Sequence, residues 1–259
     1  MGENRWRLIA ADLDGTLLRG SERLSPYTLS VFARCRAAGI RVAIVTARSY
    51  RRTEGFLKEL SCDAVAVHNG AAVYFGEEKD TRLCIPAETA ASILRALHAT
   101  FPHMPVMADS RETLYADFDT AQVWPDVHAV QTDFSDFPPQ EAEKILGGVD
   151  GAETVERVRT LLPGNMRLEW LVNFIRITNR EAGKLAALRH ICERFGVAPE
   201  DCVAFGDSAN DAAMLRGAGT GVAVSNAEEA AKSAADEIAL SNDRDGPAKF
   251  LETHLFSPA

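Results

Sequence analysis

Arg7-Leu8-Ile9-Ala10-Ala11-Asp12-Leu13-Asp14-Gly15-Thr16-Leu17-Leu18 decides how the rest of the chain reads. Leu8 to Ala11 form a short apolar run of the kind that makes a strand buried on both faces. The run ends in two carboxylates, Asp12 and Asp14, with Gly15 and Thr16 behind them. Ionised carboxylates are costly to bury, so a pair at the end of a buried strand calls for a metal, a proton or a cation beside it. At average residue frequencies, Asp-x-Asp-Gly-Thr arises by chance in roughly one chain of this size in several hundred. A solvated turn after a strand is the plain alternative.

The pentapeptide Asp12 to Thr16 resembles the first motif of the haloacid dehalogenase superfamily of phosphatases. That resemblance implies that Asp12 is a nucleophile and Asp14 a general acid/base. One motif is a hypothesis, so the remainder of the chain has to carry it.

The chain has 259 residues, enough for one large or two modest domains with real cores. Apolar residues make up 46% and charged residues 25%, ordinary values for a water-soluble globular protein. A formal net charge of -9 argues against an extended nucleic-acid surface. No apolar run approaches the ~20 residues of a membrane span. The N-terminal residues lack the apolar core of a signal peptide. Five dispersed cysteines, Cys35, Cys62, Cys84, Cys192 and Cys202, have no metal-ligand spacing and suit a reducing, cytoplasmic location. The histidines suggest no zinc site: His98 and His103 are separated by Pro102 and have no evident acidic partner.

Ser25-Pro26 opens a helix, and Leu29, Phe32 and Cys35 follow at helical spacing up to Gly39. Arg41 to Thr46 is a buried strand ending in a hydroxyl. Strand, helix, strand is the unit of a parallel sheet. A helix over Tyr50 to Leu60 and a strand over Ala64 to Val67 continue the rhythm, which changes after Gly70. Ala71 to Phe75 and Thr81 to Ile85 read as a hairpin around Gly76 to Asp80. A helix over Glu88 to Ala99 follows, then scattered prolines and short β-like pieces such as Thr113 to Tyr115. Glu141 to Leu146 reads as a short helix, Thr154 to Leu161 as strand or helix, and Leu168 to Thr178 as β. Trp124, Trp170 and Tyr115 in this stretch could line a sugar pocket or fill a core. From Arg180 to Phe195 a helical stripe returns, followed by strand Asp201 to Phe205, helix Asn210 to Ala218, strand Gly221 to Val224, helix Ala227 to Ala234 and strand Glu237 to Leu240. The expected fold class is α/β: a doubly wound, mostly parallel, Rossmann-like sheet over residues 1–81 and 180–259, interrupted by an α+β insertion over 82–179.

Gly206-Asp207-Ser208-Ala209-Asn210-Asp211-Ala212-Ala213-Met214-Leu215 resembles the fourth motif of the same superfamily. Thr46-Ala47-Arg48 resembles the second, although relatives usually carry Gly where Ala47 stands. Lys184 resembles the lysine of the third. The four occur in family order across nearly the whole chain. Asn69-Gly70-Ala71 and Asn242 to Gly246 resemble turns of the Cof-type subgroup, whose α+β cap lies between the second and third motifs. Without the family, the sheet rule agrees: Asp12, Thr46 and Asp207 each follow a strand at the carboxyl ends, where ligands bind in open α/β sheets.

The resemblance implies Mg²⁺ held by the carboxylates of Asp12 and Asp207 and the main-chain carbonyl of Asp14, with Asp211 binding the ion or orienting its waters. It further implies that Lys184, Thr46, Asn210 and the N–H groups of Leu13 and Ala47 hold the phosphate. The expected activity is hydrolysis of a small phosphorylated metabolite, such as a sugar phosphate, through an aspartyl-phosphate. The alternatives are a phosphomutase, which needs a second phosphate site from arginines such as Arg82, Arg111 or Arg167, and a non-catalytic regulator that binds phosphate or Mg²⁺. Substrate identity and oligomeric state are not legible.

Overall fold

A computed structural model of the chain describes residues 5–20, 22–125 and 127–256. The first segment runs β1 (Leu8–Ala11), α1 (Pro26–Ala37), β2 (Arg41–Val45), α2 (Glu54–Leu60), β3 (Ala64–Val67), β4 (Ala72–Phe75) and β5 (Glu78–Asp80). The middle holds α3 (Ala87–Thr100), β6 (Val106–Ser110), β7 (Thr113–Ala116), β8 (Val130–Gln131), β9 (Lys144–Gly148), α4 (Ala152–Leu161), β10 (Met166–Leu171) and β11 (Phe174–Asn179). The last segment holds α5 (Lys184–Phe195), β12 (Cys202–Gly206), α6 (Ala212–Gly217), β13 (Thr220–Val224), α7 (Glu229–Lys232), β14 (Glu237–Ala239) and α8 (Gly246–Phe256). The chain divides into two compact units: one from the first and last segments, up to Asp80 and from Gly183 on, and one over Thr81–Ala182.

In the first unit the sheet order is β14-β13-β12-β1-β2-β3-β4-β5. The six strands from β14 to β3 are parallel, and β4 and β5 add an antiparallel hairpin at one edge. β1 lies in the middle because the chain first winds outward through β2 and β3, then returns to build on β1's other side. Leu8, Ala10, Ala43, Val45 and Ala204 pack with Leu188 and Ile191 of α5 and Leu215 of α6. The alternate residues Ile9, Ala11, Val42, Ile44 and Phe205 are fully buried on the other face. There α8 supplies Phe250, its ring edge-on to Phe205 at 5.7 Å. Burial on both faces is why these strands read as continuous apolar runs. Ser25 caps α1 by accepting from the N–H of Thr28, with Pro26 in the first turn.

The second unit is a six-stranded sheet of order β10-β11-β9-β6-β7-β8, antiparallel except for β7 with β8. Its core joins Leu94 and Leu97 of α3 and Val155 and Val158 of α4 to Val106, Ala108, Ile145 and Ile177 of the sheet. Tyr115 packs edge-on to Phe137 beside that core, whereas Trp124 and Trp170 are exposed.

Three local expectations need correction. Residues Glu141 to Leu146 are not a helix: Lys144 enters β9, in which Ile145 and Gly147 are buried and their neighbours only partly so. The glycines there leave room for neighbours, since a Cβ on Gly148 would lie 2.6 Å from Pro105. The first hairpin is tighter than its sequence suggested. β5 occupies Glu78–Asp80, within the expected turn, and Ile85 makes only an isolated bridge to Ala142. The β reading of Leu168 to Thr178 holds, as two strands joined at Val172-Asn173. The helix expected from Arg180 starts at Lys184, because Asn179 to Ala182 form a turn closed by a 3.1 Å bond between them.

Candidate active site

The site forms where β1, β2 and β12 end side by side. The N–H of Asp12 still belongs to the sheet, donating to Phe205 O at 3.1 Å. Its side chain turns back and accepts from the N–H of Leu13 through Oδ1 at 2.8 Å, at the start of a wide turn over Leu13–Leu17 that the N–H of Leu18 closes on Leu13 O at 2.8 Å. Gly15 enables that turn, with φ near 70°. A Cβ there would lie 2.3 Å from Asp207 Oδ2, so the glycine also makes room for the carboxylate arriving from β12. Thr16 then donates its hydroxyl to Asp207 Oδ1 at 2.8 Å, tying the first and fourth motifs together.

Lys184, the first residue of α5, is buried and lies between two carboxylates. Its Nζ is 2.9 Å from Asp12 Oδ2 and 2.7 Å from Asp211 Oδ1. The other oxygen of Asp211 accepts from the N–H of Asp207 at 3.2 Å, from the N–H of Ser208 at 3.0 Å and from its hydroxyl at 2.8 Å. Both oxygens of fully buried Asp211 are thus committed to orienting Lys184 and the loop that presents Asp207. Asp12, Asp207 and Asp211 each place a carboxylate oxygen within 4.8 Å of the other two.

Burial pushes the Asp12 carboxyl up to about 7; Lys184 opposes that rise and Asp211 adds to it. Burial also raises Asp207, against the hydrogen bond from Thr16. Burial alone would lower Lys184, but Asp12 and Asp211 hold it above the usual lysine value. Three carboxylates against one ammonium leave the cluster two charges short of neutrality. An all-oxygen donor set with that deficit fits a hard divalent cation such as Mg²⁺. Because Lys184 neutralises a buried pair, Lys184→Met should destabilise the folded protein by about 3–5 kcal/mol. Urea titration of the metal-free protein measures this, and a loss below ~1 kcal/mol would show that the pair is not buried as described.

Asp14 stands apart from the cluster. Its carboxylate is exposed and clasped by the guanidinium of Arg48, with Nε 2.8 Å from Oδ2 and a second bond from Nη2 to Oδ1. Arg48 is the residue that sequence reasoning left out of the site, although it was quoted with Thr46 and Ala47. It gives Asp14 a cation of its own, apart from the cluster around Lys184. Thr46 is buried, and its Oγ1 accepts from the N–H of Arg48 at 3.2 Å. Ala47 and Asn210 are exposed on the loops that follow β2 and β12. Thr16, Ser208 and Asn226 also escaped notice as supports; Asn226 donates to Gly15 O at 2.8 Å.

The Asn242 to Gly246 turn proves to be a clamp on the loop behind the first motif. Asn242 donates to Leu18 O at 2.8 Å, and Asp243 accepts from the N–H of Gly20 at 2.8 Å. Asp245 receives Arg19 Nε at 3.1 Å and the Ser25 hydroxyl at 2.7 Å. Burial pushes the Asp245 carboxyl up, but those partners hold it below the usual carboxylate range.

A profile of haloacid dehalogenase-like hydrolases matches residues 9–251. The chain belongs to this family. Membership makes it an enzyme, a phosphoric monoester hydrolase. It is 29% identical to the pyridoxal phosphate phosphatase YbhA of Escherichia coli (strain K12), over 96% of this chain and 98% of that protein. It is 27% identical to the 5-amino-6-(5-phospho-D-ribitylamino)uracil phosphatase YitU of Bacillus subtilis (strain 168), over 98% and 99%. Among solved structures, TM0651 from Thermotoga maritima superimposes with a TM-score of 0.82 at 25% identity, covering 98% of each chain. The sugar phosphatase BT4131, of haloacid dehalogenase subclass IIB, shares the fold with a TM-score of 0.74 at 23% identity, over 95% and 98%. The Cof-type reading of the insertion agrees with that fold. Among the described residues, no helix is long and apolar enough to cross a membrane.

Proposed function

We propose that the chain is a Mg²⁺-dependent cytoplasmic phosphatase that hydrolyses small phosphate monoesters through an aspartyl-phosphate on Asp12. The observation that carries this reading is the contact of Asp12 with Lys184 inside a cluster of three acidic side chains. The carboxylates of Asp12 and Asp207 and the main-chain carbonyl of Asp14 would hold the ion, with Asp211 orienting the loop around it. Bound there, Mg²⁺ supplies the positive charge that lets a phosphate dianion approach three aspartates.

An oxygen of Asp12 attacks phosphorus, and the ester oxygen leaves with a proton from Asp14. Asp14, now ionised, takes a proton from water as that water attacks the phosphorus. Inorganic phosphate departs and Asp12 is restored. Lys184, Thr46, Asn210 and the N–H groups of Leu13 and Ala47 hold the phosphoryl oxygens as charge shifts between them. The unit over Thr81–Ala182 is assigned the choice of leaving group. Release of inorganic phosphate across a panel of esters tests the reading. The panel includes sugar phosphates, pyridoxal phosphate and 5-amino-6-(5-phospho-D-ribitylamino)uracil, since the relatives are named for the last two. Isomer formation without phosphate release would indicate a mutase, and inactivity on every ester a binding protein.

The raised Asp12 carboxyl gives a pH-dependent signature of metal binding. In metal-free protein the folded state keeps a proton on Asp12 up to about pH 7. The unfolded chain releases it near ~4, so the stability linked to this group is lost as pH rises through that window. Mg²⁺ needs the ionised carboxylate, so its stabilisation grows over the same range. Thermal unfolding should show a larger Mg²⁺-induced rise in Tm at about pH 8 than at about pH 5.5. Equal rises, or none at the higher pH, would count against Asp12 as a ligand.

A further inference from the structure

The loop between β13 and α7 touches both of the loops that offer oxygens to the cation. Asn226 Nδ2 donates to Gly15 O at 2.8 Å, and Asn226 Oδ1 accepts from the N–H of Asn242 at 3.0 Å. With an acceptor at one end and a donor at the other, the amide has one orientation. Two residues on, the N–H of Glu228 donates to Asp207 O at 2.7 Å, and Glu228 Oε2 accepts from the N–H of Ala209 at 2.9 Å. One short segment thus grips the Asp14-Gly15 turn through Asn226 and the Asp207 loop through Glu228. We propose that Asn226 is a positioning residue that fits the site to a cation as small as Mg²⁺ rather than Ca²⁺. The inference rests on the Mg²⁺ site proposed above.

Mg²⁺ demands near-octahedral oxygens at about 2.0–2.1 Å, whereas Ca²⁺ accepts irregular sets at about 2.3–2.6 Å. A site favours the smaller ion only if its ligands are held close and cannot move apart. The ligand assigned to Asp14 is a main-chain carbonyl, which has no side-chain torsion to adjust, so its place is the place of the turn. The first arm of that turn is held by the sheet, where the N–H of Asp12 donates to Phe205 O at 3.1 Å. The second arm has two holds. The Thr16 hydroxyl donates to Asp207 Oδ1 at 2.8 Å, but that carboxylate is on a side chain and can swing with the turn. The bond from Asn226 comes from a separate segment, so it alone fixes the second arm against the frame that also carries Asp207. Asn242 acts further along, donating from its side chain to Leu18 O at 2.8 Å.

MgCl₂ and CaCl₂ are titrated separately into the metal-free full chain, without ester, and followed by isothermal calorimetry. Asn226→Ala should raise the Kd for Mg²⁺ at least about tenfold and that for Ca²⁺ by less than about threefold. Asn226 is exposed, so the fold should survive its loss, and cooperative unfolding is verified first. Asn242→Ala is the control. It removes the bond to Leu18 O but keeps the main-chain N–H that Asn226 accepts from. It should lower Tm while leaving the ratio of the two Kd values within about twofold of the parent's. Equal rises for both cations in Asn226→Ala would mean general support of the fold and would overturn the proposal. So would an unchanged Mg²⁺ affinity, or the same change of ratio in Asn242→Ala. Asp207→Asn separates this inference from the one beneath it. A parent that binds Mg²⁺ and an Asp207→Asn variant that does not would leave the site standing, and Asn226→Ala then decides the present proposal alone. A parent that binds neither cation would remove the Mg²⁺ site and this inference together.

Discussion

Purified Asp12→Asn protein is expected to release phosphate at least about 10³-fold more slowly than the parent, with the loss in kcat rather than KM. Asparagine keeps the shape of the side chain and can still accept from the N–H of Leu13. It loses the charge and the nucleophilic oxygen pair, and it sets an amide where Lys184 now meets a carboxylate. Lys184 keeps Asp211 as a partner, so the fold should survive. The substituted carboxyl is one that burial already pushes up to about 7, so the substitution removes a charge the protein holds at a cost. Ester binding should therefore persist while turnover fails. Mass spectrometry after rapid quenching should find a phosphoryl group on the parent and none on the variant. Undiminished hydrolysis by the purified variant would remove Asp12 from the chemistry and with it the aspartyl-phosphate.

The central parallel strands were legible because they are buried on both faces and end in a polar residue. Leu8 to Asp12, Arg41 to Thr46 and Cys202 to Asp207 all show it. Such runs carry their signal locally. The middle of the chain was harder, because its strands are half buried and its turns are irregular. Gly147 and Gly148 disguise β9, whose glycines accommodate Met104 and Pro105 from a distant segment, contacts that no local pattern announces. Val172 adopts a positive φ, which a β-branched residue seldom does, so nothing in its identity marked a turn. At the site, Asp12, Asp207, Asp211 and Lys184 were picked out by their resemblance to the family's motifs, and the structure brings them together. The supports were not found. Thr16 acts on Asp207 across 191 positions of sequence and Asn226 on Gly15 across 211, and ordinary polar residues give no sign of such long-range partners. The clasp of Arg48 on Asp14 was hidden for the same reason.

That clasp shapes what Asp14→Asn should do. Asparagine offers Arg48 an acceptor in the same place but can neither give up a proton nor take one from water. Both half-reactions suffer, so steady-state turnover should fall by about 10²–10⁴-fold for any ester, with phosphoenzyme accumulating because water is no longer activated. The burst separates the two roles. An alkyl phosphate leaves as a strongly basic alkoxide and needs the proton, whereas an activated aryl phosphate leaves as a weak base and hardly does. The burst rate should drop by about 10²-fold or more for the alkyl ester and by less than about tenfold for the aryl ester. Arg48→Gln provides the control. It frees the Asp14 carboxylate without removing it, so the difference between leaving groups should be kept even if the absolute rate changes. Equal burst losses for alkyl and aryl esters in Asp14→Asn would contradict the acid role. A vanished leaving-group difference in Arg48→Gln would show that the guanidinium, and not the carboxyl, responds to the leaving oxygen.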